Sequence, residues 1–172
     1  SFIQRYEKEY GADSVLKSIM GLIYFNKKKF NLAKSFYHDS INLNNKNSDT
    51  YTLLGDNFLA VGDFNNAKIN YNKSLQIKPN NKMALNNLAA LKYFKGDLAK
   101  AEHIYELSLK FNDNNYDAHY NLAQCQLVQA NFSQGWINYK YRWLANKFTS
   151  IKLKINLPEF NLKKDKKNLL IW

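Results

Sequence analysis

One cysteine, two prolines and two methionines stand among the 172 residues. The single Cys125 excludes an internal disulfide framework and carries little information about redox compartment. No stretch of about 18 or more consecutive apolar residues occurs, which excludes a membrane-spanning helix. Ser1–Asp13 lacks the apolar centre of a signal peptide, and the chain opens on Ser1 rather than Met, so it reads as a piece of a longer product expected in the cytoplasm. Catalytic patterns are also missing. His38, His103 and His119 lie at unrelated places, no HxxxH or CxxC spacing occurs, and no glycine loop suited to phosphate is present. These residues therefore hold no complete catalytic site, no metal site and no cofactor site. Cys125, on the packed side of a helix, reads as a small core residue rather than a nucleophile.

Acidic residues are scarce in one place. The net charge is +11, and nine Lys and Arg face only two acidic residues between Lys140 and Asn168. A basic tail fits nucleic acid, an anionic surface or a phosphate-bearing ligand, and equally a solvated lysine-rich linker. Basic residues are not regularly placed along the rest of the chain, so nucleic acid is not the expected partner.

What the chain does have is a period. The stretch Ser48–Asn81 reads as two short helices joined at Gly62-Asp63 and stopped at Pro79. Its thirty-four places recur without a gap over Ser14–Asn47, Lys82–Asn115 and Tyr116–Thr149. A fixed period of this size marks a stacked-repeat architecture. The eighth place holds Gly21, Gly55, Ala89 and Ala123, and the twentieth holds Ala33, Ala67, Ala101 and Gly135. Small residues there let two antiparallel helices approach closely. Large residues fill the space between helices: Met20, Leu54, Leu88 and Leu122 at the seventh place, and Tyr37, Tyr71, Tyr105 and Tyr139 at the twenty-fourth. Phe30, Phe64, Leu98 and Phe132 open the second helix. Gly62 and Gly96 suit a left-handed helix end, with Asp63, Asp97 and Asn131 as N-caps of the helix that follows. Lys28 and Lys29 specify the first turn less well.

This pattern resembles the tetratricopeptide repeat, carried by Tyr51, Leu54-Gly55, Phe58, Ala67, Tyr71, Ser74 and Pro79 and their counterparts. The resemblance implies an all-α fold, a right-handed superhelical array of antiparallel helix hairpins. It divides the chain into repeats at 14–47, 48–81, 82–115 and 116–149. Residues 1–13 then form a helix, the end of a preceding repeat, and residues 150–172 form a basic linker and the start of a following domain. Lys92 and Gln126 depart from the aromatic of the eleventh place, and Arg142 from the small residue of the twenty-seventh. In the family's geometry the first helix of each repeat lines a concave groove for a protein or peptide ligand. Asp56 falls among its inward places, and the groove is apolar towards Val15, Ile19 and Leu22. It is amide-rich around Asn86, Asn87, Tyr93, Asp117, Tyr120, Asn121 and Gln124. Asn87 and Asn121 share the sixth place of successive repeats, where the asparagines of O-linked N-acetylglucosamine transferases form a ladder to a peptide backbone. A carboxamide carries both a donor and an acceptor, so it can pair with a backbone without reading side chains. The family's clamps for C-terminal carboxylates need inward Lys or Arg; none is present here, which argues against chaperone-tail binding of that type.

The last repeat ends in QGWINYKYRW, with Trp136, Tyr139 and Trp143 spaced as one aromatic stripe on a helix. Followed by Leu157-Pro158 and Lys167-Asn-Leu-Leu-Ile-Trp172, it resembles the junction where bacterial tetratricopeptide repeats run into a glycosyltransferase-like domain. Gly135, Trp136, Tyr139, Arg142 and Trp143 carry that likeness, with Asn168–Trp172 expected as the first strand of an α/β domain. The resemblance implies a substrate-recognition arm whose nucleotide sugar is bound only by the missing domain. The alternative is a free-standing scaffold or adaptor with no catalytic domain.

Overall fold

The computed structural model describes residues 13–146. Among them are eight α-helices and no strand: α1 (Ser14–Asn26), α2 (Phe30–Leu43), α3 (Ser48–Ala60), α4 (Phe64–Ile77), α5 (Lys82–Phe94), α6 (Leu98–Phe111), α7 (Tyr116–Val128) and α8 (Phe132–Tyr139), followed by a 3-10 turn over Lys140–Leu144. The helix and linker expected at the two ends, and the strand expected at Asn168–Trp172, lie outside the described residues.

Hydrogen-bond chemistry sets where each helix starts. The odd-numbered helices open at Ser14, Ser48, Lys82 and Tyr116, each behind a side-chain cap. Asp13 accepts from Leu16 N at 2.7 Å, and Asn47, Asn81 and Asn115 accept from backbone N–H groups of α3, α5 and α7. Such a cap pairs one of the N–H groups that a helix start leaves unmatched. The even-numbered helices are less uniform. Asp63 caps α4 through Asn66 N at 3.1 Å. Asp97 and Asn131 occupy the cap position without a capping bond from a backbone N–H of the helix, contrary to expectation. Asp97 turns instead to Lys100 and Lys92, at 3.0 and 3.7 Å. That contact with Lys100 holds its carboxyl below the usual range.

All four hairpin turns share one geometry. In the second repeat Asp63 N bonds Phe58 O and Gly62 N bonds Leu59 O, the paired closure of a Schellman motif. The residue before the cap must then be left-handed. Gly62 and Gly96 meet this with φ of 79° and 77°, whereas Lys28 and Ala130 are forced to 56° and 59°. The weakly specified first turn therefore forms the same motif, imposed by packing of the hairpin it joins.

The core is serial. Tyr37, Ala33 and Leu54 form one buried cluster, Tyr71, Ala67 and Leu88 the next, and Tyr105, Ala101, Ala89, Leu122 and Cys125 the third. Each helix packs on its hairpin partner and on the next repeat, so the contacts stay local in sequence, as in solenoids. Gly21 and Gly55 sit directly against the rings of Tyr37 and Tyr71. A Cβ added there would lie 2.4 and 2.5 Å from ring carbons. The small eighth place and the tyrosine of the twenty-fourth thus form one contact.

The aromatic stripe expected through Trp143 is interrupted. α8 spans 8 residues where the other outer helices span 14, and Trp143 lies in the 3-10 turn. Trp136 and Tyr139 remain on α8, in edge-to-face contact at 5.4 Å.

Candidate functional site

Helices α1, α3, α5 and α7 stack side by side along one side of the array, the face on which the repeat resemblance places the groove. It leaves large apolar groups uncovered: Val15, Ile19 and Leu22 on α1, Met83 and Phe94 on α5, and Val128 on α7. Phe94 is 80% exposed, an unusual state for a phenyl ring in a folded chain. Tyr93 beside it is half-buried and packs on the third core cluster.

The amides fall into two classes. Asn87 donates from Nδ2 to Asp56 Oδ1 at 2.7 Å, and the same oxygen accepts the Tyr71 hydroxyl at 2.7 Å. Asp56 therefore ties α3 to α4 and α5 from the inner face. Burial, and secondarily the Asp56 carboxylate, push the Tyr71 hydroxyl well above its ordinary range. The second N–H of Asn87 and its carbonyl oxygen have no hydrogen-bond partner among the described residues. Asn121 and Gln124 are half-buried and have no hydrogen-bond partner among the described residues. Asn86 belongs to the other class. Its Oδ1 accepts from Ser108 Oγ and Asn115 Nδ2, both at 3.3 Å, so it ties α5 to α6 and to the cap of α7.

The far end of the face is held by the chain itself. The two carboxylate oxygens of Asp117 accept from Asn146, one from its backbone N at 2.8 Å and one from Nδ2 at 3.0 Å. Tyr120 lies 5.9 Å from Tyr139, and Tyr141 stacks on His119 at 4.1 Å. Arg142 lies between two rings, 4.5 Å from Tyr139 and 4.3 Å from Trp143, and donates to Tyr139 O at 3.1 Å. Trp136, Tyr139, Arg142 and Trp143 thus pack locally at the end of the fourth hairpin, all half-buried. A cleft of about 300 Å³ opens between Met83, Asn86, Asn115, Asp117 and Asn146.

Sequence reasoning missed two polar assemblies. Asn81, 5% exposed, accepts from Met83 N and Ala84 N, while its Nδ2 points at Ser74 Oγ and Asp49 Oδ1, both at 3.0 Å. Asn115 repeats the arrangement with Ser108 at 2.9 Å. The signal was Asn at the thirty-fourth place of three repeats together with Ser at the twenty-seventh. The second assembly explains a departure from the repeat pattern. Buried Gln126 donates to Glu102 at 3.0 Å and accepts from Asn138 at 2.9 Å, and Asn138 Oδ1 lies 2.7 Å from His119 Nδ1. An amide replaces the eleventh-place aromatic because it links α6, α7 and α8.

Burial, with Glu102 nearby, pushes the Cys125 thiol up to about 11, and its Sγ faces Leu98 O at 3.3 Å. Such a thiol is a packed group, not a thiolate nucleophile. Among the described residues no three His, Cys, Asp or Glu are placed to hold a metal, and no helix is long and apolar enough to cross a membrane.

A family model of the tetratricopeptide repeat matches residues 18–47 and 48–81. No curated protein sequence matches the chain significantly. Solved structures do. The first tetratricopeptide domain of Spaghetti (RPAP3), bound to the HSP90 peptide SRMEEVD, is similar with a TM-score of 0.64 and 19% identity, over 69% of this chain and 94% of that one. MamA gives a TM-score of 0.69 at 14% identity, over 80% of this chain and 81% of that one. PilF from Pseudomonas aeruginosa gives 0.73 at 14% identity, over 80% of this chain and 63% of that one. Residues 18–81 thus match the tetratricopeptide repeat, and the chain has the fold of the solved helical arrays it resembles.

Proposed function

We propose that the chain is a protein-interaction module whose concave inner face holds an extended segment of a protein or peptide partner. The observation that carries this reading is the run of uncovered apolar groups, Phe94 above all, interleaved with the unmatched amides of Asn121 and Gln124. Apolar pockets supply affinity, and carboxamides pair with the backbone of an extended segment. The Spaghetti domain, solved with a peptide bound, supports a peptide ligand, although that peptide is acidic. This chain has no Lys or Arg at the inward places, so a ligand of that charge does not fit it.

The test is Asn87→Ala combined with Asn121→Ala. Partner affinity is expected to fall about tenfold, from two lost hydrogen bonds of about 0.5–1.5 kcal/mol each. Helix content by circular dichroism should be unchanged. An unaltered titration would remove the amides from the binding reading.

A narrower reading makes the module the recognition arm of a bacterial glycosyltransferase in the cytoplasm. It rests on Gly135, Trp136, Tyr139, Arg142 and Trp143 as a junction motif; its further residues lie outside those described. Coding sequence beyond Trp172 decides between this arm and a free-standing scaffold. Several hundred residues with alternating strand and helix patterns favour the arm; an immediate stop codon favours the scaffold.

A further inference from the structure

The chain leaves the fourth hairpin at the head of the inner face. Ala145 is buried and extended, and Asn146 binds both carboxylate oxygens of Asp117, the second residue of α7. Met83, the second residue of α5, lines the cleft at this point together with Leu144, and both are about half exposed. Helices α5 and α7 start at this cleft and run side by side, 13 residues each. The strip along them ends at Phe94 and Val128, both exposed. Between these ends lie the amides of Asn87, Asn121 and Gln124, the last two without a hydrogen-bond partner among the described residues. At 1.5 Å per helical residue, the strip from Met83 to Phe94 is about 16 Å long.

The sequence that follows Asn146 lies outside the described residues, and it fits this strip. Ile151, Leu153, Ile155 and Leu157 alternate strictly with Lys152, Lys154 and Asn156. A period of two puts all four apolar groups on one side of an extended chain and scatters them around a helix. Seven extended residues span about 20 Å, enough to cover the strip. The stretch from Asn146 to Ile151 reaches about 17 Å at most, so the tether starts the segment near Met83. An extended backbone also presents N–H and C=O groups that carboxamides can pair with. Pro158 follows directly and has no N–H to continue such pairing.

We infer that residues 151–157 occupy the chain's own groove along α5 and α7, as a built-in competitor of the partner. The apolar row meets Met83, Phe94 and Val128, and the segment's backbone meets Asn87, Asn121 and Gln124. This rests on the interaction-module reading and adds its regulation: a partner binds by displacing the segment. A tethered segment sees its groove at an effective concentration of about 1 mM. With a free affinity of about 100 μM, the closed form outnumbers the open one about ten to one, and the apparent affinity of any competitor falls about tenfold.

The experiment titrates the 172-residue chain with a fluorescein-labelled, end-blocked peptide copying residues 150–158. One variant combines Ile151→Ser, Leu153→Ser, Ile155→Ser and Leu157→Ser. A second keeps the composition of residues 151–157 but reorders them so that the apolar residues are consecutive. Both are expected to bind the peptide about tenfold more tightly than the unaltered chain, with circular dichroism unchanged. Phe94→Ser added to the serine variant should weaken the peptide about fivefold, the loss of one contact that matters. Asn87→Ala with Asn121→Ala should weaken it about tenfold. Equal affinity for the unaltered chain and the serine variant overturns the inference and leaves the module reading standing, because the peptide still binds. A peptide that binds neither also overturns it, and the module reading then stands or falls on the partner titration alone. Binding that survives loss of Phe94 and of both asparagines puts the segment on another surface and overturns the inference. So does a reordered variant that still excludes the peptide, since apolar content rather than an extended row would then close the groove. Exclusion that is relieved by dilution, with dimers in sedimentation, assigns the segment to a second copy and overturns the assignment within one chain.

Discussion

Tyr37 and Tyr71 occupy the same place in successive repeats and are both fully buried, but their hydroxyls differ. Tyr71 donates to Asp56, whereas the Tyr37 hydroxyl is buried with no hydrogen-bond partner. The ninth place explains it: Asp56 in the second repeat is Leu22 in the first. A buried unmatched polar group costs stability, and a matched one adds it. Tyr37→Phe is therefore expected to be neutral or slightly stabilising, within about 0.5 kcal/mol, whereas Tyr71→Phe should cost about 1.5–3 kcal/mol, the range for a bond to a charged group. Urea unfolding of both variants checks the pair; equal losses would refute the distinction. The period predicts both rings and the glycines against them. It does not reveal the hydroxyls' fates, because those depend on a residue fifteen places away on the facing helix.

At the scale of the element, caps and turns divide between what is local and what is not. The Gly62 and Gly96 turns follow from conformational freedom at positive φ. Lys28 and Ala130 enter the same geometry against their preference, because four hairpins with one packing need one turn. The asparagines before α5 and α7 combine a cap with side-chain contacts to the helices that precede them, Asn81 to Ser74 and Asp49 and Asn115 to Ser108 and Asn86. Asn81→Ala is expected to lose the cap, about 1 kcal/mol, and strand its buried partners, about 1–3 kcal/mol more. A loss of about 2–4 kcal/mol in denaturant unfolding would fit this; a loss below about 1 kcal/mol would mean that Asn81 acts as a cap alone. The shortening of α8 was not legible in the same way. Its residues keep helical spacing to Trp143, but Arg142 at the twenty-seventh place is too large for the buried site that Ser40, Ser74 and Ser108 fill.

For the whole molecule, the serial core puts titratable groups in every layer. Burial raises Tyr37, Tyr71 and Tyr105 above their ordinary value of 10.0, and Cys125 from 9.0 to about 11. The folded chain keeps these protons where the unfolded chain releases them, so stability falls as pH rises. The contribution is fully present below about pH 9 and declines through the folded values. Thermal unfolding followed from pH 7 to 11.5 should show Tm dropping above pH 9, with a shallower drop in Tyr105→Phe. A Tm that stays level to pH 11 would contradict this.

The sequence by itself determined the period, the helix hairpins and the small-against-large contacts. Each of these rests on spacing within one repeat or on residue type alone. Only the tertiary structure decided which inward side chains are available to a partner. Asn86 is tied to Ser108 and Asn115, Asn87 to Asp56 and Asp117 to Asn146, across separations of 22 to 31 residues. Asn87 and Asp56 pair between successive repeats and the others close within one, and all of them form only when the helices pack, so a pattern of residue types does not contain them.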